Sequence, residues 1–114
     1  MPKVDTLSRM LGGWFVGNFT PSILTTKEFE VGIKRYQKGD KENYHTHKIA
    51  TEITVILSGK VKMHGNIYYE DDIIKLKPGE TSDFEALTDV ITVVVKTPSV
   101  LNDKYIVSEI NEGS

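Results

Sequence analysis

Apolar and polar positions along most of this chain fall into short runs rich in Val, Ile, Thr, Tyr and Phe, the composition and period of β-strands. Turn residues cut the runs at Pro21-Ser22, Lys38-Gly39-Asp40, Ser58-Gly59, His64-Gly65-Asn66, Glu70-Asp71-Asp72 and Pro78-Gly79. The pattern predicts strands over about 14–19, 28–37, 43–48, 51–57, 60–64, 67–69, 72–76, 82–86, 90–96 and 104–108. Connections this short leave no room for helical crossovers, so the expected architecture is an antiparallel sandwich or barrel.

Two runs, Ile53–Leu57 and Val90–Val95, are apolar on nearly both faces and are expected to be central. In Phe29–Tyr36, Phe29, Val31 and Ile33 alternate with Glu30, Gly32 and Lys34, which predicts a strand whose charged face is wet. Ahead of the strands, Val4, Leu7, Met10 and Leu11 fit one face of a short helix over about 4–11, with Asp5 or Thr6 to cap it and Gly12-Gly13 to end it. No repeat, linker or low-complexity tract interrupts the chain. Residues 1–27 read as an arm and first strand, 28–110 as one barrel and 111–114 as a tail.

A length of 114 residues is one domain's worth, without room for a second substrate-binding lobe. The 14 basic and 16 acidic residues nearly balance, and the lysines form no stripe, so nucleic acid is not an indicated partner. Cysteine is absent, which excludes disulfides, thiolate nucleophiles and sulfur-ligated zinc. No apolar run approaches the ~20 residues needed to span a bilayer, and the N-terminal residues lack a secretory apolar core; no membrane partner is indicated, and the expected location is the cytoplasm.

Chemistry concentrates between Gly39 and Gly59. His45 and His47, two apart on a predicted strand, point the same way. If the turn falls between Lys48 and Thr51, Glu52 returns to the same depth beside them. Two neutral nitrogens and one carboxylate would then share one divalent transition metal, iron, manganese, zinc, nickel or cobalt, with positions left open for water or a ligand.

With its spacing Gly39-x5-His45-x-His47-x4-Glu52-x6-Gly59, this segment closely resembles the first motif of the cupins. Asp71–Gly79 is similar to the stretch leading into the second cupin motif. The resemblance covers roughly residues 28–96 and implies an all-β fold, a small antiparallel jelly-roll β-barrel. It also implies metal ligation by His45, His47 and Glu52. One departure stands out: where the second motif has a fourth ligand histidine, three residues after the glycine, this chain has Ser82. At a finer level, Gly17–Pro21, Thr51–Thr54 and Val95–Pro98 look like segments of small, mostly uncharacterised cupins from marine phage and bacterial genomes.

Around the trio, strand parity selects further candidates for contact with a small-molecule ligand. Thr54 and Ile56 share parity with Glu52 and should lie below it, with Ser82, Phe84 and Ala86 forming a far wall. Arg35 or Tyr36, whichever faces inward from a strand expected to neighbour the histidine strand, would hydrogen-bond a ligand, and Lys96 ends a buried strand where it would supply a cation. His64 and Tyr44 read as a turn residue and an outward-packing aromatic. Trp14 and Phe15 fit either a barrel end-plug or a dimer contact, and the resemblance makes a homodimer the expected assembly.

These features lead to a metal-dependent enzyme, of isomerase, lyase or oxygenase type, acting on a small oxygen-rich molecule such as a sugar or carboxylate. A non-enzymatic ligand-binding or sensing barrel with a weak or empty metal site is the alternative, and a purely structural barrel stands behind both.

Overall fold

The computed structural model describes residues 1–107 and contains eleven strands: β1 (Trp14–Gly17), β2 (Leu24–Thr25), β3 (Glu30–Tyr36), β4 (Lys41–His47), β5 (Thr51–Ser58), β6 (Lys60–Met63), β7 (Asn66–Tyr69), β8 (Ile73–Leu76), β9 (Thr81–Ala86), β10 (Val90–Thr97) and β11 (Lys104–Ile106). Every predicted strand has a counterpart, and only the two-residue β2 has no signal in the sequence pattern. The C-terminal end of the last predicted strand, the end of the predicted barrel and the tail at 111–114 lie outside the described residues.

The topology is one long hairpin wound into two sheets. β3, β4, β5 and β6 pair antiparallel with β10, β9, β8 and β7 respectively, and the hairpin tip is the His64-Gly65 turn. Both tip residues have positive φ, 49° and 79°, as a two-residue turn between right-twisted strands requires. Strands then alternate between layers, giving one sheet in the order β2-β1-β3-β10-β5-β8 and another in the order β11-β4-β9-β6-β7. This is a jelly roll in which two sheets face each other; no hydrogen-bonded seam closes them into a continuous barrel among the described residues.

β5 and β10 lie side by side within the first sheet, as their two-sided apolar sequences require. Their inner residues divide the interior lengthwise. At one end Ile56, Val61, Met63, Phe84, Ala86 and Val90 form the apolar core, with Tyr36, Tyr68 and Ile74 against it. At the other end buried polar residues gather, among them Glu30, His45 and His47, beside the small Ala50. No helix among the described residues is long and apolar enough to cross a membrane.

Two local expectations are corrected. The segment 4–11 forms no α-helix but two single 3₁₀ turns, Leu7–Arg9 and Leu11–Gly13. Eight residues are too few to offset helix nucleation, and Asp5 is taken by Arg9 in a two-pronged ion pair of 2.7 and 2.8 Å. In β3 the faces are reversed: Glu30 and Gly32 are buried, while Val31 and Ile33 are only partly so. Gly32 is there because Trp14 packs onto its backbone, where a Cβ would meet the indole at 2.7 Å. Glu30 is there because Lys96 and Ser99 receive it.

Candidate metal centre

β4 and β5 are consecutive yet belong to different sheets, so the Lys48-Ile49-Ala50 turn carries the chain from one sheet to the other, with Lys48 and Ile49 exposed and Ala50 buried. His45 and His47 therefore face Glu52 across the gap between sheets, not along a shared strand pair. A β-bulge helps to aim them: Glu42 pairs with Phe84 and His45 with Ser82, so β4 advances three residues where β9 advances two. That extra residue lets Glu42, which accepts the Tyr36 hydroxyl at 2.8 Å, and His45 both turn inward.

The donor atoms of His45, His47 and Glu52 all lie within 4.8 Å of one another. His47 Nε2 and Glu52 Oε2 are 3.0 Å apart, the spacing of neighbouring ligands on one ion with bonds of about 2.1 Å. The two atoms are close without being aligned as donor and acceptor, and Oε2 is buried with no hydrogen-bond partner. An orphaned carboxylate oxygen beside two imidazoles is costly unless a cation completes it. His45 is oriented for ligation as well. Its Nδ1 lies 3.0 Å from the Asn43 carbonyl, which can only accept, so Nδ1 carries the proton and Nε2 keeps its lone pair free. The trio fits a divalent ion.

Burial works to raise the Glu52 pKa, but His47, the Lys96 ammonium and His45 together outweigh it and hold the carboxyl below its ordinary range. Glu52 is thereby kept in the anionic form that ligation needs.

A row of charge crosses the first sheet at this depth, since Lys96 of β10 is the register partner of both Glu30 and Glu52. Lys96 Nζ lies 3.8 Å from Glu30 Oε1 and 4.9 Å from the centre of the Trp14 ring. Ser99 Oγ donates to the other Glu30 oxygen at 2.8 Å. Glu30, His47, Lys96 and Trp14, with Phe19 and Asp103, line an open cavity of about 410 Å³. Trp14 is thus a wall of this cavity, while Phe15 lies beside the N-terminal turns.

The remaining predicted contacts are placed as follows. Thr54 and Phe84 are buried beneath the trio, and Ser82 stands opposite His45 with its hydroxyl donating to the Asp83 carbonyl at 2.8 Å. Of the pair Arg35 and Tyr36, Tyr36 faces inward, stacked on Phe84 at 4.4 Å, and burial with the nearby Glu42 carboxylate raises its phenol pKa. Arg35 is exposed on the opposite face, and β3 neighbours β1 and β10, not the histidine strand. Tyr44 is exposed and packs edge-on against His64.

Two residues of the site carry no functional signal in the sequence. Charge places Glu30 on the wet face, and only its parity with Gly32 hints otherwise. Asp103 sits on the segment entering β11 and binds the β4–β5 turn: its carboxylate accepts the backbone N–H groups of Lys48 at 3.1 Å, Ile49 at 3.1 Å and Ala50 at 2.9 Å. Burial alone would raise its pKa, but these three donors and nearby His47 hold it low. Nothing local in the sequence marks a contact between residues 53 apart.

No protein-family description and no curated protein matches the chain by sequence. Solved structures do match by fold. A protein with a double-stranded β-helix domain from Klebsiella pneumoniae superposes with a TM-score of 0.65 at 21% identity, over 71% of each chain. The DMSP lyase DddQ from Ruegeria pomeroyi gives 0.66 at 14% identity, over 80% of this chain and 48% of that one. A sugar phosphate isomerase of the cupin superfamily from Silicibacter pomeroyi gives 0.57 at 20% identity, over 61% and 50%. This chain thus spans about half the length of the last two. The long hairpin wound through two facing sheets is the double-stranded β-helix these proteins share, and the fold of this chain is the cupin fold.

Proposed function

We propose that this protein holds one divalent transition metal on His45, His47 and Glu52 and acts as a metal-dependent enzyme on a small oxygen-rich molecule such as a sugar or carboxylate. The observation that carries the reading is the convergence of two buried histidines and a partly buried glutamate, one of whose oxygens is buried without a hydrogen-bond partner, with His47 lining an open cavity of about 410 Å³. When bound, the metal supplies Lewis-acid chemistry to a chelated oxygen. The chain's own residues supply the rest. Trp14 and Phe19 offer apolar walls, Lys96 meets an anionic group of the ligand, and Glu30, held by Lys96 and Ser99, is a carboxylate outside the metal trio on the same cavity. Of the residues selected from strand parity, Lys96 lines this cavity, whereas Thr54, Ser82, Tyr36 and Phe84 do not. The isomerase and lyase named among proteins of similar fold fit this class of chemistry.

Loading with iron(II), manganese, zinc, nickel or cobalt, followed by turnover assays on small hydroxylated acids and sugars, tests the reading. Turnover above the background of the His47→Ala variant is expected with at least one metal; none above that background with any metal would sink it. A second reading, a binding or sensing module, is favoured by Ser82, whose hydroxyl is engaged by a backbone carbonyl where a fourth ligand would stand. It predicts ligand heats in calorimetry without turnover.

Lys96→Met separates anionic from neutral ligands under either reading. Loss of one charge-assisted hydrogen bond should weaken carboxylate binding by about tenfold or more and leave uncharged polyols within about twofold. Equal effects on both classes, measured by calorimetry, would remove Lys96 from the ligand's anionic end. A homodimer is part of the same proposal, supported by exposed apolar residues on β7 and β8, Ile67, Tyr69 and Ile73; light scattering at several concentrations decides it.

A further inference from the structure

We infer that Asp103 is a positioning residue of the metal centre, an inference that rests on the metal reading above. The turn 48–50 is the sole covalent link between His47 and Glu52, and it must cross from one sheet to the other. A three-residue crossing has no ladder of its own to fix it. Its three consecutive N–H groups instead converge on one buried carboxylate, with Ile49 reaching both oxygens, at 3.2 and 3.1 Å. Ala50 and Asp103 are both buried, so the Ala50 bond is shielded from water, while the Lys48 and Ile49 side chains are exposed.

The clamp is tied to the ligand strand from two further sides. Lys104, next to Asp103, is the register partner of His47, and the Gly79 N–H donates to the His47 carbonyl at 2.7 Å. His47 is therefore held in its strand by β11 and the Gly79 turn, and the carboxylate fixes how far and at what angle the chain travels before it presents Glu52. Asp103 also lines the cavity beside His47. Its contacts go to the backbone, not to the ligand side chains, so it acts by setting the distance between the two sheets' ligands. Partners one step removed from a metal typically alter affinity by about 10- to 100-fold.

Asparagine at this position keeps the shape but replaces one acceptor oxygen with a donor that faces the same three N–H groups. Cobalt(II) and zinc affinities, measured by chelator competition at a temperature where circular dichroism shows the metal-free protein folded, are expected to fall about 10- to 100-fold in Asp103→Asn, with a changed cobalt d–d spectrum. Asp103→Glu, which restores the charge, should recover part of the loss. Val61→Ala, a core change remote from the trio, should lower thermal stability and leave affinity within about twofold. In the native protein, zinc should slow amide exchange at Lys48, Ile49 and Ala50 relative to the β6–β7 hairpin, a readout that does not depend on any variant folding. Native affinity and spectrum in Asp103→Asn, or unchanged exchange at the turn on zinc binding, overturn the inference while the metal site stands. A native protein that binds no metal overturns the site itself and this inference with it.

Discussion

Replacing His47 with alanine is expected to reduce metal uptake from about one equivalent to background, a loss in affinity of more than about 100-fold. The expectation is steep because the donor set is lean. In the resembled family a fourth histidine shares the ion, whereas here Ser82 occupies that place and its hydroxyl is engaged with the Asp83 carbonyl. Removing His47 leaves His45 and Glu52 alone on opposite sheets, with nothing to hold them at a common point. The fold should survive, since the ring belongs to the polar end of the interior and the apolar core is built from Ile56, Val61, Met63, Phe84, Ala86 and Val90. A thermal midpoint within about 5 °C of the metal-free native protein is expected, as for a loss near 1 kcal/mol in a domain of this size. Elemental analysis after desalting, run beside circular dichroism, checks both halves. Retention of stoichiometric metal by the folded variant would show that the ion sits elsewhere.

The metal trio is legible in the sequence for a specific reason. His45 and His47 are separated by the strand period and Glu52 by one short turn, so their spacing already points to a similar depth. The central strands are legible because β5 and β10 carry apolar residues on both faces, and each lies between two other strands of its sheet, though Leu57 near the end of β5 stays exposed. Sheet assignment is not: a short turn joins strands of one sheet or carries the chain between two, and Lys48-Ile49-Ala50 carries no residue that distinguishes these. The contact that accompanies the crossing comes from far along the chain: Asp103, on the segment that leads β11 back beside β4, accepts the N–H groups of the turn. The reversed face of β3 is hidden for a related reason. Charge argues that Glu30 should be wet, but a carboxylate is stable inside when Lys96 and Ser99 meet it, and those partners lie more than sixty residues away. Trp14 is visible as an aromatic seeking a surface, yet only Gly32, bare of a side chain and facing inward, identifies the surface. Chemistry encoded locally is readable; chemistry assembled by the winding of the long hairpin is not.

The two glycines that bracket the motif should respond very differently to the same substitution. Gly39 and Gly59 have nearly equal backbone angles, φ of 94° and 95°, so alanine carries a similar conformational cost of about 1–2 kcal/mol at either. Their surroundings differ. A Cβ on Gly39 would find open space within 4 Å. A Cβ on Gly59 would collide with the Asp89 carbonyl oxygen and press on Thr88 Oγ1 and Val90 Cγ2, both at 2.9 Å. The 88–90 turn cannot simply retreat, because Thr88 Oγ1 accepts the Lys60 N–H at 3.0 Å and Val90 is fixed in the core. Overpacking against backbone and core typically adds about 1–3 kcal/mol. Gly39→Ala should therefore lower the thermal midpoint by about 5–10 °C, and Gly59→Ala by about 10–25 °C. Both sites lie away from the trio, so metal affinity per folded molecule should be unchanged in each. Calorimetric melting of the two variants decides the matter: equal losses would mean that backbone angle alone explains the motif glycines, whereas the predicted gap assigns Gly59 to the close approach of the β5–β6 turn and the strand entry at Val90.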